Sequence, residues 1–262
     1  MMHWIAGGVP EWITLLVLVI GLPSLMLVLE SQVHRWVPDW RLGKYNDATG
    51  IMLSSAAVVY SVAMGMCVVT LWESRNDARA ATEAEAVNLA GLAEGARVCD
   101  APVPAEIDAG VVAYQRDVIA NWSNRVHSRT TPAVGTDLHA LGTVIGSITP
   151  RTEAQRAFVE DAVRRLTRAT ELRATAVRVA HEEQLPNVLW ISVITGSLVV
   201  LSLCVTCGIR DGLLRRVLVA GVAATIGVNM FLALELNYPF EGTIRIGPDS
   251  YQEVVDQLES GR

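Results

Sequence analysis

The chain has 262 residues, is 51% hydrophobic and only 18% charged, and its 27 Asp plus Glu against 21 Lys plus Arg give a formal net charge of -6. That acidic excess argues against non-specific nucleic-acid binding, and nucleic acid is not an expected partner. Charge is segregated as well as scarce: residues 12–29, 48–72, 184–209 and 217–234 carry none, and each run is near the roughly 20 residues a helix needs to cross a bilayer. The chain therefore reads as an all-α integral membrane protein with four transmembrane helices and not as a soluble enzyme.

The first run, Trp12 to Leu29, follows Pro10 and Glu11 without the basic leader of a secretory signal, so it is expected to remain as an anchor. Pro23 inside it has no N–H to give, which predicts a kink or a local break whose carbonyl is met by another helix. The second run, Ala48 to Trp72, makes a helix of about 37 Å, longer than the roughly 30 Å hydrocarbon core. Its Ala57, Ser61 and Gly65 recur every four residues, so small side chains share one face that suits close helix packing or a pore lining. Residues 1–72 form an N-terminal transmembrane hairpin in this reading.

Residues 73–187 hold 13 basic and 16 acidic residues and are expected to form a helical extramembrane domain inserted between the second and third spans. The Ala/Glu/Arg-rich stretch 73–98 favours a helix that continues the second span into water, broken at Cys99 to Pro104. Glu106 to Arg129 predicts an amphipathic helix with Val111, Tyr114, Val118 and Trp122 on one face. Thr130 to Gly135 reads as a turn and Thr136 to Ile148 as a shorter helix. From Glu153 to Leu185 there is neither Pro nor Gly, so one helix of about 50 Å is expected, capped by Thr152 and interrupted at Pro186. Its apolar face is Phe158, Ala162, Leu166, Ala169 and Leu172, with Ala157, Glu160, Arg164, Ala174 and Arg178 left for solvent and interhelix contacts. The helix leaving the second span and the helix entering the third are expected to form a coupled stalk.

The third span is expected from Pro186 to Ile209 and the fourth from just after Arg215-Arg216 to just before Glu235, joined by Arg210 to Arg216 as a tight antiparallel hairpin over 188–235. Asn229 in the fourth is a candidate for interhelical hydrogen bonding. Trp4, Trp12, Trp36, Trp40, Trp72 and Trp190 fall in or near span ends, where an indole meets both lipid and water, while Trp122 is left to pack in the helical domain. Arg35, Arg41, Lys44, Arg210, Arg215 and Arg216 sit in the short connections and Arg75, Arg79, Arg173, Arg178 and Arg245 near the opposite ends, so the basic residues select no orientation. The tail, 236–262, predicts an interfacial turn and then a short helix from Asp249 to Glu259 that packs on the helical domain.

Chemistry-bearing motifs are sparse. Cys67, Cys204 and Cys207 lie in apolar runs and Cys99 stands outside them; the Cys204/Cys207 pair has CxxC spacing but no second pair or histidine beside it. His3, His34, His127, His139 and His181 are scattered, and neither a glycine-rich phosphate loop nor a GxSxG elbow occurs. No catalytic residue, metal site or cofactor is expected.

The segments Tyr45-Asn46-Asp47-Ala48-Thr49-Gly50 and Trp72-Glu73-Ser74-Arg75-Asn76-Asp77-Ala78, with Tyr60 and Gly65 between them, carry a family resemblance. Leu185-Pro186-Asn187-Val188-Leu189-Trp190 and Leu236-Asn237-Tyr238-Pro239-Phe240-Glu241-Gly242 extend it. In this two-span, helical-domain, two-span order the chain resembles the bestrophin-like family over nearly its whole length. Members often carry Asp where this chain has Asn237. Bestrophins proper are pentameric ion channels with a pore on the symmetry axis, so the resemblance implies a homo-oligomer, with a pentamer as the candidate, in a bacterial cell membrane.

A channel would place the second span along the pore, with Ser54, Val58, Ser61, Gly65 and Val68, spaced by three or four, as pore or gate candidates, since apolar side chains form a narrow gate that is dry when closed. Asn46, Asp47, Glu73, Asn76 and Asn229 are ion-attracting or structural candidates, and Asn237, Pro239, Phe240 and Gly242 form the interfacial motif. The alternative is a membrane scaffold or signalling module whose helical domain binds a partner.

Overall fold

The structure, a computed structural model, describes residues 11–36, 46–122, 132–181, 185–209, 211–240 and 245–260. Among these, every regular element is helical: α1 (Glu11–Leu16), a π-turn (Val17–Gly21), α2 (Leu22–Trp36), α3 (Asn46–Gly95), a 3-10 turn (Ala96–Val98), α4 (Val103–Ala120), α5 (Pro132–Ser147), α6 (Glu153–His181), α7 (Asn187–Val205), α8 (Gly212–Asn237) and α9 (Asp249–Ser260). Among the described residues four stretches are long and apolar enough to cross a membrane: Trp12–Trp36, Asn46–Val98, Asn187–Val205 and Gly212–Asn237. The expected four-span order with a helical insertion between the second and third is therefore the observed one. The chain divides into two compact units, Met1–Glu73 with Glu183–Ile244, and Ser74–Glu182 with Arg245–Arg262.

The first unit is built where α8 packs on α2 and on the π-turn, and α7 packs on both α8 and α2. The π-turn has a sequence cause. Leu22 N–H reaches Val17 O, one residue beyond α-helical reach. In that register the donor due to Leu18 O is residue 23, a proline without an N–H. Gly227 of α8 seats against this carbonyl, so closely that a Cβ there would fall 2.1 Å from Leu18 O. Proline frees the acceptor and glycine lets the neighbouring backbone approach it, a contact of the Cα–H type. Met26, Val200, Leu201, Val219, Ala223 and Ile226 bury around this crossing. Met64, Leu71, Trp190, Val193, Ala233 and Leu236 form a second apolar cluster.

The second unit packs the C-terminal half of α3 with α4, α5, α6 and α9. Leu89, Leu92, Ile107, Val111, Leu141 and Phe158 are among its buried core. Asn88 Nδ2 donates to Arg165 O at 2.7 Å and Arg165 Nη1 to Asn88 O at 3.4 Å, which registers α3 against α6. Thr152 caps α6 as expected, its Oγ1 accepting from Gln155 N–H at 3.2 Å, and Gln155 Oε1 returns a bond to Arg151 N–H at 2.7 Å. Tail helix α9 lies on α4. It is anchored by the buried Glu85, whose carboxylate accepts from Tyr251 OH at 2.9 Å and from Tyr114 OH. The Trp122 ring meets that of Tyr251 in a tilted contact with centroids 5.8 Å apart, and its Nε1–H donates to Ile246 O at 3.2 Å.

Several boundaries differ from the sequence reading. The fourth span begins at Gly212, so Arg215 and Arg216 are inside the helix; Asp211 caps it, its Oδ1 accepting from Leu213 N–H and Leu214 N–H. The helix expected from Glu106 to Arg129 runs Val103–Ala120, with Pro104 in its first turn where a missing N–H costs nothing. The turn expected from Thr130 is helical from Pro132 onward, for the same N-terminal proline reason. The long helix from Glu153 is described to His181. Of the boundary tryptophans, Trp12, Trp36 and Trp72 are exposed while Trp190 is buried in a cluster, and Trp4 and Trp40 lie outside the described residues.

Two outcomes follow. Gly227→Ala is expected to cost about 2 kcal/mol or more, because backbone and not a flexible side chain blocks the added methyl, whereas Gly221→Ala, where nothing lies within 4 Å, is tolerated; thermal unfolding in micelles separates the two. Burial, then the Glu85 carboxylate, raises the Tyr251 phenol well above its usual 10.0. The neutral phenol therefore contributes stability that is complete below pH 10 and lost as the pH climbs beyond it. Alkaline titration followed by circular dichroism should show a steeper decline in the parent protein than in Tyr251→Phe.

Candidate functional site

The membrane half of α3 divides into two faces. Met64, Cys67 and Leu71 turn into the first unit's core. On another face Ser54, Val58, Ser61 and Gly65 are exposed and Val68 is half-buried. Five positions separated by three or four residues project within one narrow sector of a 3.6-residue helix. Ser54 Oγ donates to Gly50 O and Ser61 Oγ to Val58 O, both at 2.9 Å, so neither hydroxyl carries an unmet proton. A Cβ on Gly65 would meet nothing within 4 Å.

Gly65 is therefore not a close-approach point within the protomer, whereas Ala57 on the same face packs against the Met26 and Val200 cluster. Close approaches occur at other glycines of this unit: Gly196, where a Cβ would come 2.9 Å from the Tyr60 ring, and Gly227 at Leu18 O. Tyr60 ties α3 to α7, its OH hydrogen-bonding Ser197 Oγ at 3.0 Å. A groove of about 490 Å³ opens beside it, with Ala57, Ser61 and Gly65 along one wall and Val217, Thr225 and Asn229 along the other. Asn229, expected to bond across helices, instead donates its Nδ2–H to Thr225 O of its own turn at 2.9 Å. The structure thus brings together Ser61, Gly65 and Asn229, while Ser54, Val58 and Val68 do not line the groove.

The remaining candidates sit at span ends. Asn46 Oδ1 accepts from Gly208 N–H at 3.2 Å, tying the start of α3 to the segment after α7, and Asp47 beside it is exposed. Glu73 and Asn76 are exposed about 40 Å further along the same helix. Asn237 closes α8, nearly fully buried, and its Oδ1 accepts from Leu185 N–H at 3.2 Å. An amide oxygen meets that donor without bringing a charge into an apolar seat. Pro239 and Phe240 are buried after it, and Gly242 lies outside the described residues.

One group escaped the sequence reading. Glu30 of α2 is 0% exposed and pairs with the Nε of Arg215 of α8, itself 8% exposed. Arg215 Nη1 also donates to Ile209 O at 3.1 Å, Arg216 Nε lies 3.9 Å from Glu30 Oε2, and His34 Nε2 lies 4.0 Å from Glu30 Oε1. Counting only charge-free runs ended the first span at 29 and began the fourth at 217, which left both partners outside. The signal was periodicity: Glu30 continues the buried positions Pro23 and Met26, and Arg215 precedes Val219, Ala223 and Ile226 on one face. Among the described residues no three His, Cys, Asp or Glu side chains are arranged to hold a metal ion.

The family model of the bestrophin-like domain matches residues 20–251. Two solved variants of a bacterial bestrophin homologue from Klebsiella pneumoniae are similar in fold: one is 14% identical with a TM-score of 0.72, covering 96% of this chain and 97% of that chain, and the other is 13% identical with a TM-score of 0.71, covering 94% and 99%. A further structure of that homologue, phased on zinc, is 14% identical with a TM-score of 0.68 and covers 96% and 98%. No curated protein matches the chain.

Removing one member of the buried pair takes from the other its nearest countercharge, so Glu30→Gln or Arg215→Gln is expected to cost about 3 kcal/mol. The double variant should lose much less than the sum of the two, a coupling readable from a double-mutant cycle of unfolding midpoints in micelles.

Proposed function

The chain belongs to the bestrophin-like family and has a channel-like helical membrane fold, and from that premise we propose that it is a homo-oligomeric channel, a pentamer in the bacterial inner membrane, passing ions passively along an axis lined by α3. The observation that carries this reading is the exposed stripe Ser54, Val58, Ser61 and Gly65. A stripe of small and apolar groups on the second membrane helix is what a symmetric assembly needs to put the same helix around one axis from every subunit.

Each position has a role in such an assembly. Gly65 and Ser61 add little bulk and leave width. Val58 supplies a ring of branched apolar groups, which sheds water when narrow and blocks hydrated ions until it widens. Ser54 and Ser61, their protons already given to their own helix, offer oxygen lone pairs to whatever passes. Asp47 and Glu73, exposed at the two ends of the span, attract ions to the mouths.

The test is flux through purified protein in liposomes, with the subunit count taken by native mass spectrometry. Flux should be measurable in the parent, rise by about threefold or more in Val58→Ser as the constriction wets, and vanish in Ser61→Trp. A monomer, or no flux of any tested ion at any voltage, would sink the proposal.

A further inference from the structure

A second and larger groove of the first unit runs between α3 and α7, with a volume of about 1250 Å³. Its lining extends from Met52 to Thr70 along α3 and from Leu189 to Leu203 along α7, and no lining residue is charged. The two helices meet at Tyr60, whose ring seats against Gly196 and whose OH is hydrogen-bonded with Ser197 Oγ. Close backbone packing of α3 on α7 is otherwise sparse. To either side of that point the walls carry the small residues Ser55, Ala56, Ala63 and Ser192, which leave the space between the helices open. Wall hydroxyls are spent locally: Ser55 Oγ donates to Ile51 O and Ser192 Oγ to Val188 O, both at 2.9 Å, and Thr70 Oγ1 to Met66 O at 3.0 Å. Unfilled space of this size forfeits dispersion contacts on both walls, and walls without open polar groups do not hold water.

We propose that this groove is a binding site for the acyl chains of a membrane lipid, which pack between α3 and α7 and complete their contact. The uncharged wall with its hydroxyls already bonded matches hydrocarbon and offers nothing to a headgroup. Width selects the occupant. Spread over the roughly 27 Å of helix from Met52 to Thr70, the volume corresponds to a channel about 8 Å across. A helix of a second copy, about 10–12 Å wide with its side chains, is too broad for it. One or two hydrocarbon chains, at carbon–carbon contacts of about 4 Å, fill it. Position agrees: at about 100° per residue, Met52, Ser55, Val59, Ala63 and Met66 lie about 130° around α3 from Ser54, Val58, Ser61 and Gly65. With that stripe on the axis, the groove opens away from it, toward the bilayer. This placement rests on the channel reading above; the groove's width and polarity do not.

The purified full-length protein is saturated with dioleoylphosphatidylcholine or, separately, with dioleoylphosphatidylglycerol and exchanged into detergent. Native mass spectrometry then reads the lipid retained per protomer and the subunit count. The parent should retain both lipids to similar, saturating levels, because the groove carries no charge to tell their headgroups apart. Ala63→Trp on α3 and Ser192→Trp on α7, each placing an indole in the groove, should lower retention by about fivefold or more at an unchanged subunit count. Leu198→Trp, at an exposed position of α7 outside the groove, should retain lipid as the parent does. Retention that is unchanged in both groove variants, or confined to phosphatidylglycerol, overturns the site. So does a parent that holds no lipid and whose assembly dissociates in both groove variants, a result that assigns the groove to a second copy. A parent that shows the expected retention pattern but is monomeric or passes no ion upholds the groove and overturns the channel reading alone.

Discussion

A carboxylate with no exposure cannot be left to hydrocarbon, and the pairing of Glu30 with Arg215 meets that constraint inside the first unit. It requires α2 to carry its helix past the end of the apolar run and α8 to begin before its own, so that both charges lie on packed faces. A second demand of the same kind is met a few turns away, where the carbonyl that Pro23 leaves without a donor is covered by Gly227. Between these points Met26, Val219, Ala223 and Ile226 fill the space, and the pairing of α2 with α8 follows from all three.

The second unit solves the opposite problem, since it must hold a tail helix in water. It does so with a buried acceptor, Glu85, shared by Tyr114 and Tyr251, and with the Trp122 indole over the Tyr251 ring. Tyr114, Tyr251 and Trp122 are amphipathic, so each combines apolar burial with a directed hydrogen bond, to Glu85 or to Ile246 O.

Polarity is thus distributed against intuition. Glu30, Arg215 and Glu85 are buried and hold helices together, whereas the face of α3 that carries Ser54, Val58, Ser61 and Gly65 is exposed and free of charge. An exposed apolar stripe on a membrane helix costs nothing against lipid, so it can be kept for subunit contacts or a dewetting constriction without loss of protomer stability.

Fold class was legible because bilayer thickness dictates helix length: runs without charge mark spans whatever the neighbours do, and the Pro/Gly-free stretch from Glu153 marks a long helix. The stripe on α3 was legible for the same local reason, since helical spacing alone places Ser54, Val58, Ser61 and Gly65 on one face. What local patterns do not carry is which face meets which. Small residues at Ala57, Ser61 and Gly65 looked like a packing seam, yet Gly65 meets open space and the close approaches fall at Gly196 and Gly227. Glu30 and Arg215 are 185 positions apart. The sequence by itself determined where helices form and where they enter the membrane, because those depend on neighbours within a few turns. The tertiary structure alone decided which charges are buried together, because a countercharge can come from any part of the chain that packing brings near.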